Sequence, residues 1–135
     1  MKFLVKSIIA VFILLFCNLN ANAQTTYPMY GAVGKYKIVM VLEFKDHGIV
    51  SGWYYYKSKG PKNKIKLNGT YKDEWGNFEG GTLNLTESVN GKITGYFSGE
   101  FAVGFHMNRD VWAGGTWKSP KGNTLKWEVD TNSGD

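Results

Sequence analysis

Apolar and polar residues alternate with a period of two along most of the chain, the pattern of strands with one buried face. Ile38, Met40, Leu42 and Phe44 alternate with Lys37, Val39, Val41 and Glu43. Ile65, Leu67, Gly69 and Tyr71 form a second such row, and Leu83 and Leu85 a third. Ile93, Gly95, Phe97, Gly99 and Phe101 follow, then Val111, Ala113, Gly115 and Trp117, and finally Leu125, Trp127 and Val129. The segment around Trp53 carries large residues on both faces. Asp46-His47-Gly48, Asn90-Gly91 and Pro120-Lys121-Gly122-Asn123 are short hairpin signals, and residues 58–63 and 73–77 are longer Gly- or Pro-bearing connections. No helical period appears beyond residue 23. Hairpins this short pair each strand with its sequence neighbour, which predicts an up-and-down antiparallel meander of seven to eight strands. Closure into a small all-β barrel removes the two sticky edges of an open sheet. A two-sheet β-sandwich is the alternative.

Glycine and aromatic residues recur together in this pattern: Gly52-Trp53-Tyr54-Tyr55-Tyr56, Gly69-Thr70-Tyr71-Lys72, Gly95-Tyr96-Phe97 and Gly115-Thr116-Trp117-Lys118. Rings suit a pleated, half-buried surface, and glycine lets strands coil or backbones approach. Gly69, Gly95, Gly99, Gly115, Phe97, Phe101, Trp117 and Trp127 fall on the apolar, inward phase. Tyr54, Tyr56, Tyr96 and Trp112 are assigned to the opposite, outward face. Val50-Ser51-Gly52-Trp53-Tyr54 also parallels Ile93-Thr94-Gly95-Tyr96-Phe97, an echo that either a duplicated pair of hairpins or the general likeness of meanders explains.

The first 23 residues read as a cleaved export signal. Lys2 and Lys6 precede an apolar run from Ile8 to Cys17, and Ala21-Asn22-Ala23 offers the small residues of a peptidase site. The run is shorter than the roughly 20 residues that cross a bilayer, so no membrane span is expected. Phe16 before Cys17 does not fit a lipoprotein signal. Removal of this segment leaves residues 24–135 as one domain, expected to be a monomer in the periplasm or outside the cell. It takes both signal lysines and the single cysteine with it, leaving 14 basic against 11 acidic residues, a net charge of +3. That charge does not argue for nucleic acid. A disulfide-free exported domain has to be held by packing.

Rings on a solvated face offer rigid contact area, which makes Tyr54, Tyr56, Tyr96 and Trp112 the candidate binding residues. Lys57 and Lys59 join them, from a run that continues through Lys62, Lys64 and Lys66 and either meets an acidic partner or solvates a hairpin. Catalysis has little to stand on. His47 and His106 lie in turns or loops, and His106, Arg109 and Asp110 form an ordinary polar cluster. Glu87 and Glu100 would form a glycosidase pair only in one of several registers. No nucleophile elbow or metal spacing is present, so neither an enzyme nor a cofactor or metal is expected.

Gly34-Lys35-Tyr36 and Gly115-Thr116-Trp117 resemble the Gly-x-aromatic signatures of the calycin group, the lipocalins and avidins. That resemblance implies a small hydrophobic ligand inside the barrel, although lipocalins carry Trp at the place of Tyr36 and many have a disulfide and a C-terminal helix. Tyr56-Lys57-Ser58-Lys59-Gly60 resembles a loop of bacterial C-type lysozyme inhibitors, exported eight-stranded barrels that usually bear cysteines. The residues themselves point to an exported, non-catalytic protein that recognises a protein or carbohydrate partner through aromatics and lysines. A calycin-like carrier and an inhibitor of a secreted hydrolase such as lysozyme are the alternatives.

Overall fold

The computed structural model describes residues 24–104 and 110–132. The first 23 residues, read above as an export signal, lie outside them, as do His106, Arg109 and the last residues of the tail. Eight strands follow one another: β1 (Gln24–Val33), β2 (Tyr36–Lys45), β3 (Ile49–Tyr56), β4 (Ile65–Lys72), β5 (Gly80–Val89), β6 (Lys92–Val103), β7 (Val111–Lys118) and β8 (Thr124–Asp130). Each pairs antiparallel with the next, and β8 returns to β1 through Tyr30–Asp130 and Val33–Trp127 to close the barrel. Among the described residues no helix is long and apolar enough to cross a membrane.

β1 is the strand that alternation does not announce. Its sequence contains Pro28, which lacks a ladder donor. The structure places Pro28 where β1 runs on past its last partner in β8, so the proline sits at an edge that tolerates it. The turns follow their chemistry. Asn90 and Gly91, with φ of 53° and 79°, make the two-residue β5–β6 hairpin in the left-handed conformation that such turns require.

Inside, Met29, Val33, Ile38, Met40, Leu42, Val50, Leu67, Leu83, Leu85, Val111, Ala113 and Val129 are buried around Phe97 and Trp127. Side chains fill the middle of the barrel. Gly69 shows why the interior needs glycine: a methyl there would collide with the Asn84 carbonyl oxygen on β5, a backbone atom that cannot swing aside.

The two ends differ. The end bearing the β2–β3, β4–β5 and β6–β7 connections is stopped by rings. Phe78, from the β4–β5 connection, packs 5.1 Å from Phe44, 5.5 Å from Phe101, 5.9 Å from Tyr71 and 6.4 Å from Tyr27, centroid to centroid. Its backbone N–H donates to Asp73 Oδ2 at 2.8 Å, and the Tyr71 hydroxyl donates to the Lys45 carbonyl at 2.7 Å. Asn77 and Phe78 hold φ of 53° and 55°, left-handed backbone uncommon outside glycine. The loop bears that strain to turn Phe78 inward. The opposite end is the open mouth.

Candidate functional site at the barrel mouth

β3 delivers the central residues of the mouth. Val50, Gly52, Tyr54 and Tyr56 share one face, and the register sets Tyr54 beside Met40 of β2 and Ile65 of β4, both on the inward side. Tyr54 is therefore completely buried, and Tyr56 is half-buried against the core. This corrects the outward assignment of both. Five of the strand glycines are followed two positions later by an inward ring: Gly52 by Tyr54, Gly69 by Tyr71, Gly95 by Phe97, Gly99 by Phe101 and Gly115 by Trp117. Phasing β3 by that unit places Tyr54 correctly, whereas the crowd of large residues around Trp53 hides the phase.

Glu87 continues the inward row of Leu83 and Leu85 on β5 and is only 3% exposed, a charged side chain where alternation demands an apolar one. It lies between Leu67 of β4 and Gly95 of β6. A methyl at Gly95 would strike the Glu87 carboxylate and Trp117 Nε1, so this glycine makes the space in which the two meet. The pairing of β5 with β6 shifts after Glu87, with Ser88 opposite Ile93, so Thr94 is the extra residue of a bulge. The bulge leaves Ile93 exposed, against its expected inward phase, and brings Thr94 towards the carboxylate.

The Tyr54 hydroxyl donates a hydrogen bond to Glu87 Oε2. Burial pushes the Glu87 carboxyl above its ordinary range and outweighs the opposing pull of Tyr54, Trp117 and Thr94. The Trp117 Nε1–H and the Thr94 hydroxyl are themselves buried and meet no partner in good hydrogen-bond geometry, yet they stand close enough to the carboxylate to favour its charge. Burial and the neighbouring Glu87 charge drive the Tyr54 hydroxyl far up, so it stays a proton donor.

A chain of groups leads from Glu87 to solvent. The Tyr54 and Tyr56 hydroxyl oxygens are 3.4 Å apart, and Tyr56 makes an edge-to-face contact with Tyr36 at 6.1 Å. Tyr36, Tyr56, Ser58 and Lys59 line an open recess of about 280 Å³. Its loop is pinned: the Lys59 and Gly60 N–H groups both donate to the Tyr56 carbonyl, and Asn63 Nδ2 donates to the Lys59 carbonyl at 2.7 Å. Lys35 Nζ stands 5.5 Å from the Tyr36 ring centre, adding a second cation at the rim.

The remaining candidates are scattered. Lys59 lines the recess, and Lys57 is half-buried at the base of the same loop, its N–H bonded to the Lys37 carbonyl. Tyr96 is 42% exposed on the outer face of β6, opposite Thr86 and Lys118. Trp112 is half-buried outside β7, donating to Glu128 Oε1 at 3.0 Å. Tyr96 faces Lys118, six residues along β7 from Trp112, about 20 Å away at the rise of a strand. The four rings therefore form no single surface. Glu87 and Glu100 do not face each other either: Glu100 is exposed and pairs with Thr82 and Gly114.

The outer wall carries a pair that the alternation reading did not single out. Trp53 and Tyr55 stack at 6.0 Å on the solvent side of β3, and Lys64 Nζ lies 4.2 Å over the Trp53 ring. Among the described residues no group of three or more His, Cys, Asp or Glu side chains is placed to hold a metal ion. Comparison with protein-family models, curated proteins and solved structures finds no match for the chain.

Proposed function

We propose that the protein is an exported, non-catalytic binding protein that recognises a protein or glycan partner at the barrel mouth, with Tyr36, Tyr56, Ser58 and Lys59 as its contact residues. The observation that carries this reading is the recess itself: two aromatic walls, a hydroxyl and a lysine converge on a loop whose backbone is tied down. Convergent polar groups in an aromatic-lined hollow are the usual composition of a recognition site. The side chains filling the barrel centre favour the mouth over the lumen as the place of binding. The export signal supports a location outside the cytoplasm. Where the partner is a protein, the exposed loop that resembles the lysozyme inhibitors favours a secreted hydrolase.

The test is a binding screen of the purified protein against arrayed glycans and secreted hydrolases, with inhibition of each hydrolase measured alongside. Lys59→Ala and Tyr36→Ala should weaken partner binding at least tenfold with unchanged thermal stability, and Tyr96→Ala and Trp112→Ala should leave it intact. Binding that depends on Tyr96 or Trp112 and ignores Lys59 would place recognition on the outer wall and sink the proposal.

A further inference from the structure

While Glu87 is ionised, the hydrogen-bond chain beneath the recess runs in one direction, and that direction constrains what the recess can hold. A tyrosine hydroxyl has one proton to give and oxygen lone pairs to receive. Tyr54 gives its proton to Glu87. Its oxygen can then only accept from Tyr56, across the 3.4 Å gap that separates the two hydroxyls. A Tyr56 hydroxyl that gives its proton inward to Tyr54 has only oxygen lone pairs left to offer the recess. The buried carboxylate thus orients two tyrosines in series, and the last presents a lone pair to solvent.

The other lining groups have complementary character. Lys59 offers only donors and a positive charge, and Ser58 offers either sense. Tyr36 supplies a ring face at the rim, half exposed, with Lys35 close by. A ligand that satisfies the set brings a hydroxyl donor for Tyr56, a flat C–H-rich face for Tyr36 and a negative group for Lys59. At about 280 Å³ the recess is at the small end for ligand pockets, the size of one ring rather than a folded surface.

We infer that the recess binds an acidic sugar unit of a glycan, a pyranose carrying a carboxylate, with a ring hydroxyl donated to Tyr56, the ring laid against Tyr36 and the carboxylate paired with Lys59. The inference rests on the mouth being the recognition site and goes further, naming the chemistry of the partner. It also gives Glu87 a part: a positioning residue that acts through Tyr54 to set the polarity of Tyr56.

Titration with digalacturonate, followed by amide chemical shifts and calorimetry, tests it. Shifts should centre on Tyr36, Tyr56, Ser58 and Lys59. Tyr56→Phe, which keeps the ring and removes the acceptor, should weaken binding about tenfold, and Lys59→Ala by a similar factor or more, the range of a hydrogen bond to a charged group. Cellobiose, with the hydroxyls but no carboxylate, should bind at least tenfold more weakly, as should hexanoate, which has the carboxylate but no hydroxyls. Absence of digalacturonate binding, or equal binding by Tyr56→Phe, overturns the inference. A macromolecular partner that depends on Lys59 yet is not displaced by digalacturonate overturns it too, while leaving the mouth as the recognition site.

Discussion

Glu87 stands in a row of leucines, and its burial has a measurable signature in solution. The folded protein holds the Glu87 proton more tightly than the unfolded chain, whose carboxyl titrates near the ordinary value of 4.5. The stability this proton contributes is complete below about 4.5 and is lost as pH rises through the elevated folded value, because there the native state binds more protons than the unfolded one. Other carboxylates superimpose their own dependence, so the contrast with Glu87→Gln isolates the effect. Chemical denaturation of both proteins from pH 4 to 7 should show their stability difference moving in favour of the glutamine variant as pH rises. A difference flat across that range would mean that Glu87 titrates as an ordinary carboxyl.

At the scale of elements, the aromatic stop at the closed end makes a connection act as core. Phe78 touches rings from β1, β2, β4 and β6, and it does so from left-handed backbone. Phe78→Ala should cost about 2 kcal/mol, below the usual value for a fully buried ring because Phe78 is half-buried. Phe78→Gly should cost less than Phe78→Ala despite losing one more carbon, since glycine relaxes the positive φ. Urea unfolding of the two variants checks both the magnitude and the order. The interior phase of β2, β4, β5 and β7 was legible because one apolar face alternates cleanly there, as with Met40, Leu67, Leu85 and Ala113. β1 was not, since Pro28 interrupts the reading and its tolerance depends on an overhang that only the register reveals. β3 was legible as a strand but not in its phase, because Trp53 and Tyr55 are as large as the buried Tyr54. The bulge at Thr94 and the inward turn of Phe78 are tertiary choices, written in backbone geometry rather than periodicity. The mouth was half legible. Lys59 and Tyr56 stood out in sequence, but Tyr56 reaches the site from inside the barrel, and Glu87 mattered as a single buried carboxylate rather than as half of a pair.

For the whole molecule the weakest line is where the barrel closes. β1 pairs with β2 over ten residues but with β8 over only four. Every other pairing joins neighbours in sequence, whereas this seam brings the two ends of the described chain together and carries the largest loop-closure cost. Native-state hydrogen exchange should find β1 and β8 amides at the seam opening at lower free energy than those of β5 and β6, which pair over ten residues. Uniform protection across the sheet would show that the barrel opens only as a unit. The overhang of β1 then has a meaning for assembly. When the seam parts, the barrel becomes a sheet with two free edges already matched to each other in sequence and register. In a second copy opened the same way, β1 of one molecule finds the β8 edge it has just left, so the seam is the hinge through which two barrels would trade strands at high concentration.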